Sequence, residues 1–168
     1  MDFCYLCGTK LKPNDDYFDC PGCGQKHYLN PRPCVDIALF NDDGQVLLAK
    51  RAKEPYKGKY DMPGGFVDAG ESNEQAIKRE IKEELDLDTR ELKDLKYVTS
   101  YSSDYPWGHD EYKLIVALFT ARTSDVNIEA RDDVESVRWE KPGQINPSDL
   151  ANPKLLKTLQ QIAEVNQP

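Results

Sequence analysis

Residues 64–88, GGFVDAGESNEQAIKREIKEELDLD, set two adjacent glycines before a dense run of carboxylates that includes Glu71, Glu74, Glu80, Glu83, Glu84, Asp86 and Asp88. Ser72-Asn73-Glu74-Gln75 fits a capping box, and Ile77, Ile81 and Leu85 recur every four residues. A helix is therefore expected over 72–85, with those three residues as its buried stripe. On that helix Glu80, Glu83 and Glu84 fall within about 100° of arc, bordering the stripe rather than opposing it. Glu80–Glu84 and Glu80–Glu83 are like-charge neighbours, each unfavourable by roughly 0.2–0.5 kcal/mol when exposed and by more at the edge of a core. Two accounts are open. Glu74–Lys78 and Arg79–Glu83 are favourable i,i+4 pairs, as on an ordinary solvated face. Alternatively, a divalent cation removes the repulsion, since clustered carboxylate oxygens with room for water suit Mg2+ or Mn2+, which also take phosphate oxygens. Gly64-Gly65 favours the cation, because paired glycines let backbone approach closely and a main-chain carbonyl can ligate a metal.

A second set of chemical residues opens the chain. Cys4-Tyr5-Leu6-Cys7 and Cys20-Pro21-Gly22-Cys23 are two matched knuckles, each followed by a glycine, Gly8 and Gly24. Four thiolates in two CxxC pairs, Cys4, Cys7, Cys20 and Cys23, are the expected tetrahedral shell of structural Zn2+. Such a shell has no open position, so it is not expected to catalyse. It would supply folding energy to a segment too short to build its own core. His27 is an alternative ligand, but with four cysteines present it reads as a surface or hinge histidine. Cys34 stands alone at the start of an apolar run and reads as a buried small residue.

The elements that must position these groups can be read from periodicity. Asn30-Pro31-Arg32-Pro33 is a stiff joint, dividing a zinc ribbon (1–30) from a larger domain (34–165). Residues 35–40 and 45–51 read as strands around an Asn41–Gly44 turn, 95–103 as a strand, 104–111 as a loop, 112–122 as the strongest strand and 134–140 as another. The C-terminal stretch reads as one or two helices, broken or started at Pro153. The pattern implies an α+β fold, an α/β/α sandwich with strands in hairpins. The net charge of −8 disfavours nucleic-acid binding, which depends on basic residues, and leaves room for a metal-assisted polyphosphate site. The ribbon carries as many acidic as basic residues, so no basic patch stands out there. No apolar run approaches the roughly 20 residues of a membrane span, and MDFCYLCG is unlike a secretory signal. A cytoplasmic setting without membrane partners is the expectation.

Gly65, five residues, Glu71, seven residues, Arg79-Glu80-Ile81, Lys82, Glu83-Glu84-Leu85 and Leu87 resemble the box of the Nudix hydrolase family at every defined position but one, where Asp86 stands for glycine. The ribbon followed by HYLNPRP further resembles the zinc-ribbon branch related to NADH, FAD and ADP-ribose pyrophosphatases. The resemblance implies a mixed-sheet sandwich and a Mg2+-dependent (or Mn2+-dependent) hydrolase. Glu83 and Glu84 would be principal Mg2+ ligands, and Glu80 a further ligand or the residue orienting the attacking water. The Gly64 carbonyl would complete the shell, and Glu71 with Arg79 would form a structural ion pair. Asp132, Asp133 and Glu135 are candidates for one more ligand or base. Asp86 falls at the helix C-terminus, where a left-handed residue is needed and Asp tolerates it.

The substrate implied is a nucleoside diphosphate linked to another group, such as FAD, ADP-ribose or NADH. The aromatic array typical of NADH pyrophosphatases survives here only as Pro106-Trp107, which speaks against strict NADH specificity. Arg51, Tyr101 and Trp107 are the expected substrate-binding residues, Tyr105 is a further candidate to stack on a base, and His109 is a weaker candidate for phosphate. A homodimer is admitted. The alternatives are a non-catalytic nucleotide-sensing module and an RNA-decapping enzyme, the latter disfavoured by the acidic charge.

Overall fold

The computed structural model describes residues 2–108, 110–124 and 128–165, and the chain folds as two units, Met1–Pro31 and Arg32–Pro168. In the first, β1 (Lys12–Pro13), β2 (Tyr17–Asp19) and β3 (Lys26–Tyr28) form a small antiparallel sheet in that order. Both cysteine knuckles close through glycines of positive φ: the Gly8 amide donates to the Cys4 carbonyl at 2.8 Å and that of Gly24 to Cys20 at 2.9 Å. The four sulfurs lie within 4.8 Å of one another, with Cys4–Cys23 at 3.8 Å and Cys7–Cys20 at 3.4 Å. Sulfurs on a tetrahedron with arms of about 2.3 Å would sit about 3.8 Å apart, so the cluster is compatible with a zinc ribbon. The buried apolar cluster here is Cys4, Leu11 and Cys20 with Phe18 against them, a core small enough for a bound metal to matter.

His27 departs from the sequence reading. It is 6% exposed, its Nε2 is 3.3 Å from the Cys4 sulfur, and the Tyr5 ring meets it edge-on at 5.0 Å. Its place on β3 turns it under the knuckle, a pairing that only the strand register reveals.

In the second unit, β4 (Arg32–Phe40) and β5 (Val46–Arg51) form a hairpin around Asn41, whose Oδ1 accepts from the Asp43 and Gln45 amides. β4 starts at Arg32, so the latter half of the proline-marked joint already belongs to the sheet. The short strands β6 (Tyr60–Asp61) and β7 (Gly64–Phe66) pair with β5 and β4. The helix α1 (Asn73–Leu85) follows, then β8 (Lys93–Trp107), β9 (Asp110–Arg122), β10 (Val134–Glu140) and the helix α2 (Leu155–Val165). The main sheet runs β10-β5-β4-β9-β8, with β4 and β9 parallel and its other pairs antiparallel.

β8 continues to Trp107, so residues 104–107 are strand rather than loop. Tyr105 pairs with Tyr112 and Trp107 with Asp110, a register that gives this polar stretch a partner which propensity alone does not announce.

One helix covers each face of this mixed sheet. Val35, Ile37, Leu39, Ala117 and Phe119 pack with Ile77, Ile81 and Leu85 of α1. Ala38, Phe40, Leu48 and Leu118 pack with Leu155, Leu159 and Ile162 of α2. The alternation of β4 between two buried faces explains its nearly unbroken apolar sequence. Among the described residues no helix is long and apolar enough to cross a membrane.

Candidate active site

α1 begins where its sequence says it should. The Ser72 hydroxyl accepts from the Gln75 amide at 3.3 Å, and the Gln75 side chain accepts from the Ser72 amide at 2.8 Å. With the start fixed and Ile77, Ile81 and Leu85 held in the core, Glu80, Glu83 and Glu84 are placed by helical rotation alone. Their side chains differ sharply in exposure: Glu83 is 49% exposed, Glu80 12%, and Glu84 as a residue only 9%.

The repulsion on this helix is met in part by the protein itself. Arg79 donates from Nε and Nη2 to the two Glu71 oxygens, both at 2.9 Å. Its Nη1 serves Glu80 at 2.8 Å and Glu83 at 3.0 Å, and Nη2 also reaches the Phe66 carbonyl at 2.9 Å. Glu71 is thereby held below the usual glutamate range, chiefly by Arg79. Glu80 is pushed up by burial, against the pull of Arg79.

Glu84 has no cationic partner among the described residues. Its Oε2 accepts the Gly64 amide at 2.9 Å. Burial pushes its carboxyl up to about 8, opposed by the Gly64 N–H and reinforced by Glu80, Asp36 and Asp61.

Gly64 is a steric requirement of the backbone, and Gly65 leaves room for the Glu80 carboxylate. A Cβ on Gly65 would lie 2.5 Å from a Glu80 oxygen, and one on Gly64, at φ +148, would lie 2.1 Å from the Val35 carbonyl. β7 can therefore press against both β4 and the carboxylates only without side chains there.

Sequence reading missed Asp36 and Asp61. Asp36 interrupts an otherwise apolar strand, which was the available signal. It accepts a short hydrogen bond from the Tyr101 hydroxyl, and its carboxyl is raised, first by desolvation and then by Asp61. Asp61 is raised by desolvation against the pull of Arg51. Tyr101 is consequently tied to the sheet by its hydroxyl, and Tyr105 and Trp107 supply the more open aromatic surface.

These groups line one cleft of about 690 Å³, with Arg51, Gly64, Glu80, Glu84, Tyr105 and Trp107 on its walls. Trp107, 53% exposed, stacks on Tyr105 with ring centres 6.1 Å apart, and Phe66 meets Tyr105 edge-on at 5.8 Å. Asp132 and Asp133 also border the cleft, and both face Lys53. Glu135 instead pairs with Lys50 at 2.8 Å and is not on the cleft wall. His109 lies outside the described residues. Asp86 caps α1 in the left-handed region at φ 51 and pairs with Lys82 at 2.5 Å and Arg131 at 2.7 Å.

Carboxylate oxygens are the donor type a hard divalent cation takes, while among the described residues only Cys4, Cys7, Cys20 and Cys23 bring three or more ligand atoms within 4.8 Å of one another. Glu80 and Glu84 are carboxylates withdrawn from water, with Asp36 repelling both and Asp61 repelling Glu84. Among the described residues, the basic groups lining the cleft, Arg51, Arg79 and Lys154, form no ion pair with Glu84.

The NUDIX domain model matches residues 30–161. Over 139 residues the chain is 31% identical to the NAD-capped RNA hydrolase NudC of Pseudomonas aeruginosa, covering 82% of this chain and 46% of that one. It is 37% identical over 112 residues to an ADP-ribose pyrophosphatase of Methanocaldococcus jannaschii, covering 67% and 63%. The chain thus spans about half to two thirds of the length of these relatives. A NUDIX hydrolase crystal structure from Nitrosomonas europaea superposes with a TM-score of 0.72 at 28% identity, covering 100% of this chain and 95% of that one.

Proposed function

The chain belongs to the NUDIX family, and from that premise we propose that it is a Mg2+- or Mn2+-dependent pyrophosphatase acting on a nucleoside diphosphate linked to another group. The observation that carries this reading is the Glu84 carboxylate, buried, without a cationic partner among the described residues and anchored by the Gly64 amide in a cleft that Tyr105 and Trp107 also line. A purely structural glutamate would be expected to have a lysine or arginine beside it, as Glu71 has.

Glu83, Glu84 and the Gly64 carbonyl would hold the cation, with Glu80 either a further ligand or the residue that orients the water. When bound, it offsets charge on the bridging phosphates and makes a ligated water nucleophilic. The remaining work falls to the chain. Arg79 fixes the rotamers of Glu80 and Glu83 while holding Glu71, so the loop 67–72 and the helix keep one geometry. Glu80 Oε1 is occupied by Arg79, which leaves Oε2 to accept a hydrogen from the attacking water and orient it toward phosphorus. Tyr105 and Trp107 offer a face on which a base can stack. Cys4, Cys7, Cys20 and Cys23 would hold structural Zn2+.

ADP-ribose, FAD and NADH share an adenylate half and are the preferred substrate class. The similarity to an NAD-capped RNA hydrolase adds a capped RNA to the panel, although the net charge of −8 disfavours a long RNA contact. The test is release of AMP from each compound with and without Mg2+. Turnover that requires the metal and disappears in Glu84→Gln supports the reading. Tight binding of every compound with no turnover would instead establish a sensing module.

A further inference from the structure

Two of the three nitrogens of the Arg51 guanidinium are hydrogen-bonded, and the third faces a carboxylate. Nε donates to the Pro55 carbonyl at 2.7 Å, Nη2 donates to the Tyr105 hydroxyl at 3.1 Å, and Nη1 lies 3.9 Å from an Asp61 oxygen. The side chain is only 25% exposed. Two of its five N–H groups are thus hydrogen-bonded, and a phosphate reaching the others would compete with Asp61 for the charge.

Tyr105, by contrast, needs support. β9 pairs with β4 only from Leu114 onward, so the β8–β9 hairpin around Tyr105 and Tyr112 extends past the end of β4. Nothing in the main ladder fixes the Tyr105 ring there. The ring packs against the cluster of Cys34, Leu114 and Val116, stacks on Trp107 and meets the Phe66 edge, while Arg51 holds its hydroxyl. Phe66 is itself anchored, because its carbonyl accepts from Arg79 and its neighbour Gly65 abuts Glu80. Two arginines thus tie the aromatic surface to the carboxylates: Arg79 through the backbone of Phe66, and Arg51 through the hydroxyl of Tyr105.

We propose that Arg51 is a positioning residue that sets the Tyr105 ring as the shelf for the substrate's base, and that it acts through Tyr105 rather than by binding phosphate. The inference rests on the cleft being the site for a nucleotide conjugate, and it names the recognised part as the planar base. Positioning matters because a base displaced on its shelf carries the diphosphate out of line with the carboxylates.

Adenosine, which has no phosphate, separates the two roles. Its dissociation constant and that of AMP are measured by calorimetry in Mg2+-free buffer for the wild type, Arg51→Lys, Tyr105→Phe and the double variant. Arg51→Lys keeps the charge beside Asp61, and Tyr105→Phe keeps the ring, so both should fold; thermal melts check this. Each single change should weaken adenosine and AMP by the same factor, about five- to tenfold. The double variant should be no weaker than the worse single one, since one interaction is being removed twice. With the best conjugate, KM should rise by that factor while kcat falls less than twofold. If Arg51→Lys weakens AMP and leaves adenosine untouched, or if the two effects multiply, the proposal is overturned. It also fails if the wild type binds neither probe. Hydrolysis by the wild type is scored separately, so a protein that binds but does not turn over would refute the pyrophosphatase reading alone.

Discussion

Replacing Glu84 by glutamine removes a charge whose cost can be worked out. In the folded protein burial raises this carboxyl from 4.5 to about 8. The folded state therefore holds the proton more tightly than the unfolded state. The resulting stabilisation is fully present below about pH 4.5 and is lost as pH rises through 8. Between pH 5 and pH 9 that loss is about 4 kcal/mol at 1.36 kcal/mol per unit. For a chain of this length it corresponds to roughly 8–16 °C in Tm. Glutamine keeps an oxygen for the Gly64 amide but cannot ionise. Melting both proteins in Mg2+-free buffer from pH 5 to pH 9 should give the wild type a steeper decline by about that amount. Contributions from Asp36 and Asp61 are present in both and largely cancel in the comparison. Adding Mg2+ at pH 9 should restore the wild type and leave the variant unmoved. Parallel pH profiles in the absence of metal would refute the reasoning, because Glu84 would then not carry the cost assigned to it.

Arg79→Ala leaves Glu71 and Glu80 without their cation, so the midpoint of a urea titration should fall. Turnover should fall more than tenfold even where the protein is folded; an unchanged midpoint would count against Arg79 as the tie between loop and helix. Asp86→Gly relieves a left-handed residue but discards pairs with Lys82 and Arg131. The two effects oppose each other, so the melting temperature should move little and turnover should stay nearly level, whereas a large gain in activity would mean that Asp86 compromises the site. His27→Ala removes the ring beside the Cys4 sulfur and should weaken zinc about 10- to 100-fold in competition with a chromogenic chelator. Equal affinities would make His27 a packing residue only.

Much of the local architecture was written in short stretches of sequence. The capping box fixed the start of α1, the four-residue recurrence of Ile77, Ile81 and Leu85 fixed its buried face, and rotation from that face placed the glutamates. The paired glycines announced a close approach, and the spacing of the four cysteines announced their cluster. All of these depend on contacts within a turn or two, or on a repeated local pattern, and so can be read residue by residue.

What lay beyond reach depends on register between distant segments. The parallel pairing of β4 with β9 joins residues 32–40 to residues 114–122. Asp36 came to the floor of the cleft, and Tyr101 to Asp36, through contacts of this long-range kind. Arg51 reaches Tyr105 across 54 positions, and His27 reaches Cys4 across 23. The sequence by itself determined that glutamates would crowd the edge of a core beside two glycines. Only the tertiary structure decided which of them would have a cation: Arg79, held between loop and helix, reaches Glu71, Glu80 and Glu83, while the turn of the helix carries Glu84 inward, beyond the set of carboxylates that it pairs.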